Sequence, residues 1–315
     1  VRVLLAGTPE IALQSLEAIH RSRHDLVGVL TAPDRQAGRG RRVIPPPVKA
    51  RALELGLPTL QPERVRTEAR EQVAALKPEI LACVAHGRIY GPKFIALFPY
   101  GTLNLHPSLL PRYRGPAPVA APILNGDREA GVTIQRLALE VDAGDILAQE
   151  AITLDGTETT GTLTVRLGEL GARLLVSVLD AIESGNASEQ PQDHSQASYT
   201  TLVTKEDGHI DWAEPAELIA RKVRAYDPWP RTFTLFGGRR LNVLKAVAES
   251  GQSADGSADT HPGRVIRVDT ALGILVETGN GLLALQRLQL QSRKPLDWRS
   301  FLNGVRDFVG SVLGG

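Results

Sequence analysis

The chain of 315 residues contains one cysteine and no methionine. A single cysteine excludes an internal disulfide framework. Cys83 lies inside Ile80-Leu81-Ala82-Cys83-Val84-Ala85 with no basic neighbour, so it reads as buried packing rather than as a nucleophile. Nothing functional follows from the missing methionine. No run of about eighteen apolar residues occurs, which argues against a membrane-spanning helix. The opening Val1 to Glu10 also lacks the basic, apolar and small-residue layout of a secretory signal. The expected setting is cytoplasmic, with no membrane partner. The seven histidines are scattered and fall into no metal-ligand spacing, so a metal mechanism is not expected. Gly7-Thr8-Pro9-Glu10 lacks the second glycine of a dinucleotide fingerprint, and a tight turn into a helix accounts for it.

With 42% hydrophobic and 23% charged residues, the composition is that of a soluble globular protein long enough for two domains. A net charge of +1 hides an uneven distribution. Between Asp34 and Arg51, the basic residues Arg35, Arg39, Arg41, Arg42, Lys49 and Arg51 stand against Asp34 alone. From Ile219 to Lys245, Arg221, Lys222, Arg224, Arg231, Arg239, Arg240 and Lys245 stand against Asp227 alone. Two basic clusters in a nearly neutral chain point to a polyanionic partner that touches both halves, with solvated surface as the plainer account of either cluster alone.

The first half alternates strands and helices. Strands are expected at Val1 to Leu5, Leu26 to Thr31, Thr59-Leu60, Ile80 to Ala85 and Thr102 to His106, and helices at Pro9 to His20, Val48 to Leu55 and Glu68 to Leu76. That order predicts an α/β, doubly wound, Rossmann-like parallel sheet whose ligands sit beyond the carboxyl ends of the strands. Two strands, Val132 to Leu139 and Ile146 to Thr153, and a long amphipathic helix, Thr159 to Ile182, follow. The polar stretch Ser184 to Ser198 reads as a linker. Beyond a helix at Ala216 to Arg224, short apolar alternations broken by glycine predict a smaller C-terminal β-barrel of OB-like type. The expected division is 1–188 catalytic domain, 189–207 linker and 208–315 barrel.

Asn104 and His106, two apart at the end of a strand, share one face and can converge on one reacting atom. Satisfying local backbone groups is the plainer role for such residues. Both side chains can donate to a carbonyl oxygen as negative charge develops there. A carboxylate that orients the imidazole and assists proton removal is the natural third member. Asp142 is the best candidate, in a glycine-bearing loop, and Asp145 lies close enough to compete. An Asn, His and Asp set fits direct transfer better than a covalent intermediate. Ser108, before Leu-Leu-Pro, suits a backbone wall for a ligand better than an activated hydroxyl.

Asn104-Leu105-His106-Pro107-Ser108-Leu109-Leu110-Pro111-Arg112-Tyr113-Arg114-Gly115, with Val141-Asp142-Ala143-Gly144-Asp145, resembles the folate-dependent formyltransferases. Further motifs narrow the resemblance to the methionyl-tRNA formyltransferases: Ala6 to Glu10, Pro33-Asp34-Arg35, Ala37 to Gly40, Pro46 to Lys49, Lys205 to Trp212, Asp227-Pro228-Trp229-Pro230 and Phe301 to Gly304. The resemblance implies formyl transfer from 10-formyltetrahydrofolate, as donor substrate, to the amine of methionyl initiator tRNA by a monomeric enzyme. It further implies that Asn104 and His106 stabilise the oxyanion and that Asp142 sets the protonation of His106. By the same resemblance Ser108, Leu109, Leu110 and Pro111 contact folate, and Arg39, Arg41 and Arg42 belong to the loop that enters the tRNA acceptor end, with the barrel holding the acceptor arm.

Three segments depart from the family pattern: His86 to Pro92, Ala138 with Glu140, and Pro118-Val119-Ala120. The alternatives are a formyltransferase acting on a sugar-nucleotide or purine-pathway amine, which needs no basic loop, and an RNA-binding protein with a vestigial site.

Overall fold

The computed structural model describes residues 1–37, 42–249 and 261–314. In chain order the elements are β1 (Arg2–Gly7), α1 (Ile11–Arg21), β2 (Asp25–Leu30), β3 (Arg35–Ala37), β4 (Arg42–Ile44), α2 (Pro47–Glu54), β5 (Thr59–Leu60), α3 (Thr67–Ala75), β6 (Ile80–Val84), α4 (Pro92–Ile95), β7 (Thr102–His106), α5 (Ala120–Asn125), β8 (Glu129–Arg136), β9 (Ile146–Thr153) and α6 (Thr160–Glu183). There follow α7 (Ala216–Ala225), β10 (Thr232–Phe236), β11 (Arg239–Glu249), β12 (Val265–Asp269), β13 (Gly273–Glu277), β14 (Leu282–Leu290), β15 (Leu296–Asp297) and α8 (Trp298–Gly304). None of the described helices is long and apolar enough to cross a membrane.

Two compact units result, one of Val1–Pro118, Glu129–Thr153 and Thr164–Thr200, the other of Val119–Arg128, Leu154–Leu163 and Thr201–Gly315. The first unit carries a seven-stranded sheet in the order β5-β2-β1-β6-β7-β8-β9. From β5 to β7 every pairing is parallel. These strands are short apolar runs because both faces of a parallel sheet are covered: all five residues of β6 are buried, and Leu4, Ala6, Leu81 and Cys83 pack with Val73, Tyr90, Phe94 and Phe98. The parallel sheet expected of the first half is found, and the two later strands extend it in the other sense, β8 antiparallel to β7 and β9 antiparallel to β8. Apolar periodicity reports burial and carries no sign of strand direction.

The stretch read as a linker is corrected up to residue 200. Gln190 exchanges backbone hydrogen bonds with Ile146 at 2.8 and 2.9 Å, and Gln192 is buried in the first unit. Its composition is polar because its partners are polar, and composition does not register partners.

In the second unit an antiparallel sheet runs β10-β11-β14-β13-β12, with β15 pairing β14. The C-terminal segment joins its two edges: Ser311 O accepts from Val265 N at 2.8 Å, and Gly314 N donates to Leu235 O at 2.9 Å. That closure gives the barrel-like form. Ile219 and Val223 of α7, Phe301 of α8, and Trp212, Phe308 and Leu313 fill it with Val243, Val265, Ile274, Leu283, Leu285 and Leu288. The Trp212 indole is satisfied inside this core by Thr234 Oγ1 at 3.0 Å.

Candidate active site

β7 is paired on both sides at Asn104, which lies opposite Cys83 of β6 and Gln135 of β8, while His106 pairs with Thr133 of β8. This fixes the direction in which Asn104 and His106 project at the carboxyl end of the parallel strands, where α/β sheets place ligands. The loop after β9's partner strand, β8, then delivers Asp142. Its carboxylate receives Asn104 Nδ2 at 3.3 Å and Gln135 Nε2 at 3.2 Å on Oδ1, and the Gly115 N–H at 2.9 Å on Oδ2. His106 Nδ1 lies 3.6 Å from Oδ1, an electrostatic distance rather than a hydrogen bond. Asp142 adopts a φ of 51°, the left-handed region, in which Asp is among the few tolerated residues. The three residues expected to converge therefore do so. Asp145, the competitor, contributes its backbone carbonyl to Arg136 N at 2.9 Å.

His106 is buried, and its Nε2 lies 2.9 Å from the Tyr113 carbonyl. A carbonyl only accepts, so the hydrogen of the neutral ring sits on Nε2 and the Nδ1 lone pair faces Asp142. Burial lowers the pKa of His106, against the opposing pull of Asp142 and the Tyr113 carbonyl. The neutral ring is thus the resting form. A proton arriving at Nδ1 would place both N–H groups opposite acceptors, so the site is arranged for charge it does not yet hold.

The Ser108 to Pro111 wall is built around Thr133 of β8. Thr133 Oγ1 donates to Ser108 O at 2.7 Å and accepts from Leu110 N at 3.1 Å and Gln149 Nε2 at 2.8 Å, while Gln149 also donates to Leu110 O at 2.7 Å. The Leu110-Pro111 peptide is cis. Leu109 lies against Gly131, where an added Cβ would collide with the Leu109 side chain and the Glu150 carbonyl. Ser108 Oγ donates to Arg112 O at 2.7 Å, which occupies the hydroxyl.

The unusual His86 turns inward. Its Nδ1 is 2.5 Å from Tyr90 Oη, and the ring begins a stack that continues through Tyr90 and Phe94. Beneath it, burial pushes the Cys83 thiol up to about 11, so the thiol is neutral and a poor nucleophile. Burial also holds His86 down at about 4, with Arg88 acting in the same direction. An unfolded histidine protonates near 6.5. Between these two values the unfolded state binds the extra proton, so acid favours unfolding. Stability is expected to fall by roughly 2–3 kcal/mol as pH drops from 6.5 to 4 on account of this group. Urea unfolding at stepped pH, compared with His86→Tyr, checks it; identical slopes in the two proteins would refute it.

Arg39 and Arg41 lie outside the described residues, as does the side chain of Arg42, whose backbone opens β4. The hairpin β3–β4 that flanks them is followed by a pinned base, where Asp34 takes Lys49 Nζ at 2.7 Å and Gln61 Nε2 at 2.8 Å. Several charges counted in the two basic clusters are therefore engaged. Lys49 pairs with Asp34, Arg51 with Glu17 and Glu54, and Lys222 with Glu214. Arg240 lies 3.6 Å from the Phe233 ring centroid. Arg239 and Lys245 remain exposed. Among the described residues one group, His24, Asp180 and Glu183, has donors close enough for a metal ion, but Arg23 already bridges both carboxylates at 2.6 and 2.8 Å.

Residues missed by sequence reasoning are Gln135, Gln192, Arg114 and Thr133. Only Gln135 had a usable signal, its place opposite Asn104 once the antiparallel register is known.

Residues 1–179 match the family model described as formyl transferase, and residues 202–306 match that of the formyl transferase C-terminal domain. The chain is 46% identical over 319 residues to the methionyl-tRNA formyltransferase of Roseiflexus sp. (strain RS-1), covering 100% of this chain and 95% of that protein. To the methionyl-tRNA formyltransferase of Treponema denticola it is 42% identical over 317 residues, covering 98% of each. Among solved structures, the N-formyltransferase from Helicobacter canadensis with folinic acid and dTDP-3-aminofucose superposes with a TM-score of 0.65 at 18% identity, covering 90% of this chain and 99% of that one. That likeness is one of fold.

Proposed function

The chain belongs to the formyl transferase family, and on that premise we propose that it transfers the formyl group of 10-formyltetrahydrofolate to the free amine of methionyl initiator tRNA. The observation that carries the reading is the convergence of Asn104, His106 and Asp142 at the carboxyl edge of the sheet. In a chain whose full-length relatives bear that activity in their names, this convergence supplies the chemistry the transfer needs.

The donor set fits the folate. Ser108, Leu109, Leu110 and Pro111, braced from within by Thr133 and Gln149, would form the wall against a flat ring system, and the folate supplies the formyl carbon. Asn104 Nδ2 and the Nε2 hydrogen of His106, held by Tyr113 O in the free protein, take the developing negative charge on the formyl oxygen. As the amine nitrogen bonds to the formyl carbon, Asp142 accepts its proton, directly or through His106. The bond from the formyl carbon to the folate nitrogen then breaks, and that nitrogen leaves with the proton that Asp142 took from the amine, which restores the site. No step calls for a metal or a covalent enzyme intermediate.

The tRNA is held by Arg39, Arg41 and Arg42 and by exposed cations of the second unit such as Arg239 and Lys245, mostly through phosphates. In this reading the first unit serves as the catalytic domain and the barrel of the second holds the tRNA, and a single chain works in the cytoplasm where the aminoacylated tRNA is formed. Transfer of radiolabelled formyl to methionyl initiator tRNA, beside a nucleotide-sugar amine and a purine-pathway amine, tests it. Activity with either of the latter alone would replace the acceptor, and tRNA binding with no transfer to any amine would make the site vestigial. Arg39→Ala is expected to raise the KM for tRNA about tenfold with folate affinity unchanged. Equal loss of both would remove Arg39 from the tRNA contact.

A further inference from the structure

Among the described residues the largest fully buried side chain is Arg114, at 0% exposure. A guanidinium without water needs acceptors on every side, and the principal one is an uncharged amide. Gln192 Oε1 receives Arg114 Nε at 3.2 Å and Nη2 at 2.7 Å. Tyr199 Oη takes Nη1 at 3.0 Å, Glu140 lies 3.3 Å away, and His194 Nδ1 is 3.3 Å from Nη2. The other end of the Gln192 amide points at the catalytic loop. Its Nε2 is 2.9 Å from the Asp142 carbonyl, 2.7 Å from the Gly144 carbonyl and 3.1 Å from Gln135 Oε1. A cation on the amide oxygen polarises the group and strengthens donation from its nitrogen.

We propose that Gln192, clamped by Arg114, is a positioning residue that holds the 140–145 loop so that the Asp142 carboxylate faces His106. Three features of the loop require such a hold. Asp142 is in the left-handed region, Gly144 packs so tightly that a Cβ would collide with the Arg136 carbonyl, and the carbonyls of both residues point inward. Arg114 serves the same carboxylate from the other side. Its backbone is tied to Ser198 O at 2.9 Å and Thr200 N at 2.8 Å, and the next residue, Gly115, donates to Asp142 Oδ2. Gln135 completes the circuit, accepting from Gln192 and donating to Asp142 Oδ1. Residues 192–200, polar in composition, thus act on the chemistry without touching substrate.

The proposal rests on the formyl-transfer reading for its kinetic consequence but not for its structural one, and the full-length protein tests both. Gln192→Glu keeps an acceptor for Arg114 and loses the donor to the two carbonyls; Gln192→Met keeps the volume, adds no charge and loses both functions. In formyl transfer, Gln192→Glu is expected to lower kcat ten- to a hundredfold while the KM for the folate donor stays within twofold. Placed on Asp142→Asn, it should cost nothing further, because the residue it positions is already disabled. In the substrate-free protein, the His106 ring titration followed by NMR should move to lower pH in folded Gln192→Met, since Asp142 is the charged side chain that raises it. Should Gln192→Met not fold, the Gln192→Glu cycle decides. A normal kcat in folded Gln192→Glu, an additive loss on Asp142→Asn, or an unmoved His106 titration in folded Gln192→Met would overturn the proposal. If the wild-type protein formylates no amine, the functional reading falls instead, and the His106 titration still judges the positioning role.

Discussion

An alanine at His106 is expected to slow formyl transfer by about a hundred- to a thousandfold, the usual effect of removing a donor aimed at a developing oxyanion. The loss should fall on kcat, because the ring is buried beneath the Tyr113 carbonyl and the Ser108 to Pro111 segment, proposed as the folate contact, is held separately by Thr133 and Gln149. Single-turnover rates at saturating folate separate chemistry from binding. A rate within threefold of wild type would mean that His106 only anchors the 113 turn. The pH profile carries a second expectation. Burial lowers the His106 pKa below 6.5, so the acid limb of kcat/KM should lie below pH 6.5 as the His106 and Asp142 pair takes up a proton.

Asp142→Asn is expected to cost about 10²- to 10⁴-fold, through two effects in the same direction. The base is lost. In addition the three groups hydrogen-bonded to the carboxylate all donate: the Gly115 N–H, Asn104 Nδ2 and Gln135 Nε2. An amide in its place must turn an NH₂ toward at least one of these donors, losing a charge-assisted hydrogen bond worth about 1.5–3 kcal/mol. Removing the carboxylate also removes the influence that raises His106, so whatever activity remains should show an acid limb displaced to lower pH. A variant within tenfold of wild type, or a limb displaced upward, would transfer the proton-relay role away from Asp142.

The alternation of the first half was legible because short runs such as Ile80–Val84 are apolar throughout, as strands covered on both faces must be. Asn104 and His106 were legible as a pair because a strand returns to the same face every second residue. Asp142 reads ahead of Asp145 from the family motif, although spacing alone leaves both open. Both sit in one glycine-bearing loop, and their roles separate through a φ of 51° at Asp142 and a backbone hydrogen bond from Arg136 to Asp145. Counting charges overstated the basic clusters, because a count does not show which cations are paired: Lys49, Arg51 and Lys222 each hold an acidic partner.

By itself the sequence determined most of the longer strands and helices and the residue types proposed for the reaction centre, since periodicity and side-chain chemistry are local properties. It also determined the family, through motifs spread over the full length. Only the tertiary structure decided strand direction at β8, the inward turn of His86 and the use of residues 192–200. Each depends on which groups meet across long stretches of chain. Gln192 is the plainest case. A glutamine in a polar run has no local mark, and it acquires a role only where a buried guanidinium and two loop carbonyls close on its amide.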